Sequence, residues 1–297
     1  MAVGPPRFAY VTLLTRTSYL AGVLVLWHSL RKSGSKYPLV VMVTHTLSAE
    51  SREVLRRAGI LMKEVDALHP PSGHTLAESD HRFGLIEYER IVLLDSDMLV
   101  RRNMDELFVL KLARDQIAAV HVCACNPLKL VHYPADWLPV NCAYSAVSTP
   151  KSPPPKYNGS PRPYHQLNSG TVVLRPSSEL SDRVLRALDD EDAVKGFVFP
   201  DQDLLTHVFR GKWVPLPWYY NALRTLPDVH PQLWDEAEVR CLHYILADKP
   251  WISRNAPRPQ FQAMDNWWWG AYDEMHEEME KTDPEGAQWV ASQVDYL

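Results

Sequence analysis

Along the first half of the chain, apolar positions change repeatedly between a strand period and a helix period. Phe8 to Leu14 is a short, β-rich apolar run. Tyr19 to Lys32 carries apolar residues at helical spacing, and Gly34 follows as a stop. Pro38 to Val43 predicts a second buried strand. Ser48 is a good N-cap for a helix through Ala58, which Gly59 closes. Ile60 to Val65 predicts a third strand, and His81 to Tyr88 a helix. Ile91-Val92-Leu93-Leu94 is the clearest buried strand of all. Strands alternating with helices imply an α/β fold with a mostly parallel sheet.

The pattern breaks after the strand at Ile91. Asn103, with Glu106 three residues on, predicts a helix start. Residues 126–163 are rich in proline and are expected to form a long excursion, partly mobile and without regular structure. Order returns with a strand at Gly170 to Leu174, a helix opened by Pro176, a helix over Asp201 to Arg210 and a strand at Arg240 to Tyr244. A polar, proline-containing stretch, Ser253 to Pro259, precedes an acidic helix over Met264 to Lys281. The expected organisation is one catalytic domain over 1–258 and a helical extension over 259–297.

Composition narrows the function classes. The 297 residues carry 31 basic and 36 acidic side chains, a net charge of −5. A dedicated nucleic-acid binder would show a basic excess instead. No apolar run is long enough to span a bilayer. The four cysteines, Cys123, Cys125, Cys142 and Cys241, lack the CxxC pair of a zinc ribbon and read as reduced thiols of a cytoplasmic protein. Ten tryptophans call for either core anchors or ligand-stacking surfaces.

Three groups of residues carry candidate chemistry. Asp95-Ser96-Asp97 directly follows the Ile91 strand. Residues i and i+2 of an extended chain point to one side, so two carboxylates can meet on one divalent cation. In an open α/β sheet such a site belongs outside the C-terminal strand ends. His243, ending a late strand, could complete the ligand set, and Lys249 could contact a phosphate. Asn168-Ser169-Gly170 and Asp201-Gln202 offer amides and carboxylates suited to a sugar; each also fits an ordinary turn or helix start.

Taken in order, these markers resemble glycosyltransferase family 8, which includes glycogenin and galactinol synthase. The set runs through Tyr10-Val11-Thr12-Leu13, Tyr19-Leu20-Ala21-Gly22, Glu87-Tyr88-Glu89-Arg90, Asp95-Ser96-Asp97, Asn103 to Phe108, Asn168-Ser169-Gly170, Asp201-Gln202-Asp203 and His243-x5-Lys249-Pro250-Trp251. Lys36 to Val41 and Ala58-Gly59-Ile60 running on to Pro70-Pro71 lean towards the galactinol-synthase branch.

The resemblance implies a GT-A fold, a Rossmann-like domain using a UDP-sugar and Mn²⁺, with retention of anomeric configuration. It assigns Asp95, Asp97 and His243 to the metal. Thr12, Leu13, Thr15 and Tyr19 fall to the uridine loop, Ser96 to the ribose and Lys249 to the diphosphate. Asn168 and Ser169 fall to the donor sugar, with Asp201 and Gln202 beside its anomeric carbon as the catalytic pair. The implied activity moves galactose or glucose from UDP-galactose or UDP-glucose to a small polyol such as inositol; the oligomeric state, a homodimer included, is left open. A glycogenin-like glucosyltransferase acting on a protein or glucan is the alternative, with Tyr144, Tyr157 and Tyr164 as nominal loop acceptors.

The chain departs from the family pattern at Leu76 to Leu85, which is several residues short and lacks the expected lysine; Arg82 or His81 is the nearest substitute. Arg16 is also bulky for the uridine loop. These departures motivate a third reading, a catalytically weakened UDP-sugar-binding module. Trp251 is expected beneath Lys249, and Trp218 with Asn221 on the acceptor side. Of Trp267-Trp268-Trp269, at least one must be partly exposed, because three consecutive helical residues cannot share a face.

Overall fold

The structure, a computed structural model, describes residues 7–66, 85–147, 150–155, 159–255 and 258–295. The proposed helix at His81 and the departing stretch at Leu76 lie largely outside them, as does Tyr157.

A seven-stranded sheet forms the centre, in the order β3-β2-β1-β4-β7-β6-β8. Its strands are β1 (Phe8–Leu14), β2 (Leu39–Val43), β3 (Leu61–Glu64), β4 (Arg90–Leu94), β6 (Ile117–His121), β7 (Leu167–Leu174) and β8 (Trp213–Leu216). Within it, β7 runs antiparallel to its neighbours β4 and β6. A smaller sheet joins β5 (Met98–Val100), β9 (Ala222–Leu223) and β10 (Cys241–His243) in the order β5-β10-β9.

Period-two alternation puts a core on each face of the large sheet. From β1, Tyr10 and Leu14 face one cluster while Ala9 and Val11 face the other. Helix α1 (Leu20–Lys32), α2 (Ala49–Arg57), α7 (Gln262–Thr282) and α8 (Pro284–Ala291) cover the first face. Helix α3 (Ser178–Ala187) and α5 (Pro200–Val208) cover the second. Two short helices, α4 (Glu191–Lys195) and α6 (Leu226–Val229), complete the set among the described residues.

The predicted punctuation holds at several ends. Ser48 accepts from the Ser51 amide at 3.2 Å, and Gly34 and Gly59 take positive φ just past their helices. Two expectations need correction. Asn103 does cap, accepting from the Asp105 amide at 2.8 Å, but it opens only a short 3₁₀ segment, Asp105–Val109. Glu106 points away to accept from Tyr220 Oη at 2.7 Å, so no reciprocal capping box sustains an α-helix. In the excursion, the described residues form 3₁₀ turns at Pro139–Asn141, Ala143–Ala146 and Arg162–His165. Trp137, Tyr144 and Tyr164 anchor them in the interior. Prolines excluded long helices there, yet burial of the aromatics still offset the ordering entropy.

The tryptophans are mostly core anchors. Trp218 is 1% exposed and donates through Nε1 to the Pro150 carbonyl, so it does not line an acceptor surface as expected. Trp268 and Trp269 are buried while Trp267 is half-exposed beneath the Arg101 guanidinium.

Candidate active site

The C-terminal edge of the large sheet gathers most of the candidate residues. Asp95 leaves β4, and its amide donates to the Gly170 carbonyl across the antiparallel step to β7 at 3.0 Å. That reversal brings the N-terminal end of β7, with Asn168 and Ser169, to the edge where β1 and β4 end. The small sheet delivers His243: it pairs with Met98, and the Tyr244 amide donates to the Asp97 carbonyl at 2.9 Å. His243 Nε2 thereby lies 3.5 Å from Asp95 and 3.3 Å from Asp97 carboxylate oxygens.

Hydrogen bonding places one proton of the imidazole. The Gly170 amide, an unambiguous donor, reaches Asn168 Oδ1 at 3.0 Å. Asn168 Oδ1 is therefore an acceptor, and Asn221 Nδ2 donates to it at 2.6 Å. Asn221 must then present Oδ1 to His243 Nδ1, 2.8 Å away, so Nδ1 carries a proton. Nε2 faces the two carboxylates. Without the ion a proton on Nε2 pairs with these carboxylates; once that proton leaves, one imidazole nitrogen and two carboxylates form a donor set that fits a divalent ion. The Lys249 ammonium, itself buried, supplies positive charge by pairing with Asp97. Burial would raise the Asp97 carboxyl, but Lys249 and His243 outweigh it and hold the group well below the usual carboxylate range.

The network continues to the proposed catalytic amide. Asn168 Nδ2 donates to Gln202 Oε1 at 3.1 Å, linking Gln202 through Asn168 and Asn221 to His243. Gln202 Nε2 is buried without a partner among the described residues, a donor left over for a ligand. Asp201 is half-buried in the first turn of α5, where the helix dipole favours a carboxylate. Thr12 is buried at the end of β1, and its Oγ1 likewise has no partner among the described residues. Leu13 and Thr15 are half-buried, and the Thr15 carbonyl accepts from Thr46 Oγ1. Tyr19 packs its edge on Trp251 at 5.2 Å; burial chiefly raises its phenol, with Lys249 and Asp97 acting on it in opposite senses. Ser96 is half-buried, its carbonyl against Gly22.

Two glycines in this region admit close approach. A Cβ on Gly22 would lie 2.5 Å from the Ser96 carbonyl oxygen and 2.9 Å from Trp251. A Cβ on Gly170 would lie 2.6 Å from the His243 ring. Asn221 is the functional residue that sequence reasoning placed on the wrong side: it faces His243, and only the Trp-Tyr-Tyr-Asn turn before β9 marks it. Arg224 is a residue that sequence reasoning missed altogether. Fully buried, it pairs with Asp248 at 2.8 Å and holds the Asp248 carbonyl, fixing the loop that carries Lys249. In that loop Leu246 takes φ 81°, a strained conformation for a leucine.

The model of glycosyl transferase family 8 matches residues 10–255. The chain belongs to that family. It is therefore a glycosyltransferase. Curated family relatives include Galactinol synthase 4 of Arabidopsis thaliana, 30% identical over 91% of this chain and 82% of that protein. Galactinol synthase 1 of Solanum lycopersicum is 29% identical over 90% and 82%. Among solved structures, the galactosyltransferase LgtC in complex with donor and acceptor sugar analogues superposes with a TM-score of 0.62, at 16% identity, over 92% of this chain and 99% of its own. GlyE of Streptococcus pneumoniae gives 0.58 at 16% identity, over 97% of this chain and 65% of its own. These solved neighbours establish the fold of the family 8 enzyme: a GT-A arrangement with a mostly parallel sheet. Among the described residues no helix is long and apolar enough to cross a membrane.

For this family 8 enzyme, Gly170→Ala is expected to push His243 off the carboxylates. Divalent-ion affinity measured by titration calorimetry should fall about 10- to 100-fold. Gly270→Ala is the control: open space surrounds Gly270 on α7, and the change should leave ion binding intact while stabilising the helix by about 0.5–1 kcal/mol.

Proposed function

We propose that the protein is a retaining, Mn²⁺-dependent hexosyltransferase that moves galactose or glucose from a UDP-sugar to a small polyol, inositol being the acceptor its galactinol-synthase relatives suggest. The observation that carries this reading is the Asp95–Asp97–His243 cluster, with the imidazole held through Nδ1 so that Nε2 faces the carboxylates, and tied by hydrogen bonds to Gln202. Those three residues would hold the ion, which would neutralise charge developing on the departing diphosphate. Lys249 adds a second positive charge beside it, stabilising the transition state more than the ground state. This arrangement lets a protein of net charge −5 hold an anionic donor without a basic patch.

Uridine would sit against Thr12, Leu13, Thr15 and Tyr19, and the ribose by Ser96. Asn168 and Ser169 would face the donor hexose. Asp201 and Gln202 would flank its anomeric carbon, where a carboxylate or amide oxygen serves as nucleophile or stabilises an oxocarbenium-like centre. A cytoplasmic location is part of the same proposal.

UDP release from UDP-galactose and UDP-glucose, measured with and without Mn²⁺ and inositol, tests the reading. Inositol-stimulated release that requires Mn²⁺ is expected. UDP at a hundred times its Kd should stabilise the protein by about 2.7 kcal/mol with Mn²⁺ and not without it. Hexose added to the protein in intact-mass spectra would instead favour the glycogenin-like activity; the burial of Tyr144 and Tyr164 argues against both as acceptors. UDP binding with no turnover of any UDP-hexose would reduce the protein to a binding module.

A further inference from the structure

Three of the four cysteines meet one histidine away from the Asp95–Asp97–His243 cluster. Cys123 and Cys125 follow the end of β6, where the chain enters a turn at Ala124 and Cys125 that brings both sulfurs to one point. Cys142 comes from the proline-rich excursion, between its two adjoining 3₁₀ turns. His230 directly follows α6, 88 positions beyond Cys142. All four are buried, and their ligand atoms lie within 4.8 Å of one another. His230 Nε2 is 3.2 Å from Cys125 Sγ and 3.4 Å from Cys142 Sγ. The sulfur-to-nitrogen edge of a tetrahedral zinc site, built from ordinary Zn–S and Zn–N lengths, is about 3.6 Å.

We propose that Cys123, Cys125, Cys142 and His230 form a structural zinc site, separate from the catalytic metal. The donor chemistry divides the two ions. Thiolates and imidazole select zinc, whereas a carboxylate-rich set suits manganese or magnesium. Four protein ligands close the coordination sphere, leaving no position for substrate, so the site is structural. A disulfide does not account for the cluster: all four cysteines are free, and a Cys-x-Cys bridge has poor geometry. Nor does ordinary thiol packing require an imidazole nitrogen turned towards two sulfurs. On binding, Zn²⁺ replaces the three S–H protons, which leave to solvent, and the Nε2 lone pair forms the fourth bond; no electrons are transferred.

The site has a mechanical purpose. It joins three segments with little regular structure of their own: the exit of β6, the excursion and the exit of α6. β6 pairs with β7 at Val120 and Asn168, so the staple lies a few residues beyond the strand edge that presents Asn168. Without it the excursion is held mainly by its buried aromatics.

The full chain, purified under reducing conditions, stripped with EDTA and desalted, should retain about one zinc per chain by elemental mass spectrometry. Asp97→Asn should keep that zinc; Cys123→Ser and Cys142→Ser should lose it. Wild-type protein refolded with Co²⁺ should show a sulfur-to-cobalt charge-transfer band and the intense ligand-field bands of a tetrahedral site, a readout that holds even where the cysteine variants fail to fold. The proposal is overturned by folded wild type free of zinc and lacking the cobalt–sulfur band. It is overturned equally by iron with visible absorbance in place of zinc, or by zinc that leaves with Asp97→Asn and stays in Cys142→Ser. None of these outcomes depends on transferase activity, so failure here and failure of the proposed reaction are separable.

Discussion

Asp97→Asn is expected to lower turnover of a UDP-hexose by about a thousandfold or more and to destabilise the fold at the same time. The first effect comes from removing a ligand of the ion that would stabilise charge on the departing diphosphate, an electrostatic contribution of several kcal/mol in a site shielded from water. The second comes from the resting arrangement. Asp97 is the partner of a buried lysine, and both side chains are about nine-tenths covered. Removing one member of a buried pair leaves an uncompensated charge, which costs about 3–5 kcal/mol. The two effects come apart in a double variant. Adding Lys249→Met to Asp97→Asn should recover much of the melting temperature and none of the activity. A stable, fully active Asp97→Asn would remove the proposed metal site altogether.

Trp268→Ala should produce the largest loss of stability outside the site, about 3–5 kcal/mol by thermal or denaturant unfolding. Trp268 is fully buried on α7, stacked on Tyr272 at 5.3 Å with an interplanar angle of 12° and tilted against Trp251 at 5.6 Å. Trp251 in turn fills the space that Gly22 leaves open and meets the edge of Tyr19. The C-terminal helix therefore supports the Lys249-Pro250-Trp251 element from beneath. A cavity at Trp268 should loosen that element and raise KM for the UDP-sugar more than it lowers kcat, since Asp201 and Gln202, proposed to flank the anomeric carbon, sit on α5. Donor-saturation kinetics with Mn²⁺ held constant would show the split. An unchanged KM in a folded variant would mean that α7 serves stability alone.

Much of the fold was legible along the chain. Alternating periods, Ser48 as a cap and Gly34 and Gly59 as stops all mark local events, and local events depend on neighbours in sequence. Asp95, Asp97 and His243 were legible too, because the two carboxylates directly follow the apolar strand β4 and His243 ends the apolar strand β10. Glu106 reads as half of a capping box but serves Tyr220 and Arg240, which lie far along the chain. Trp218 reads as a sugar-facing aromatic and is core. In both cases a side chain with two plausible local roles was claimed by a distant partner.

The sequence by itself determined the layered α/β architecture, the strand ends that carry the carboxylates and membership of a glycosyltransferase family. Periodicity, capping and ordered motifs are properties of short segments and survive without a third dimension. Only the tertiary structure decided that β7 runs backwards and brings Asn168 to the edge where β4 ends, and that Asn221 accepts from His243 Nδ1. It alone decided that Lys249 rests on Asp97, and that Cys123, Cys125 and Cys142 meet His230. Each of these is a contact between segments far apart in the chain. Loop closure over such distances leaves no spacing rule in the sequence, only packing that forms once the sheets are built.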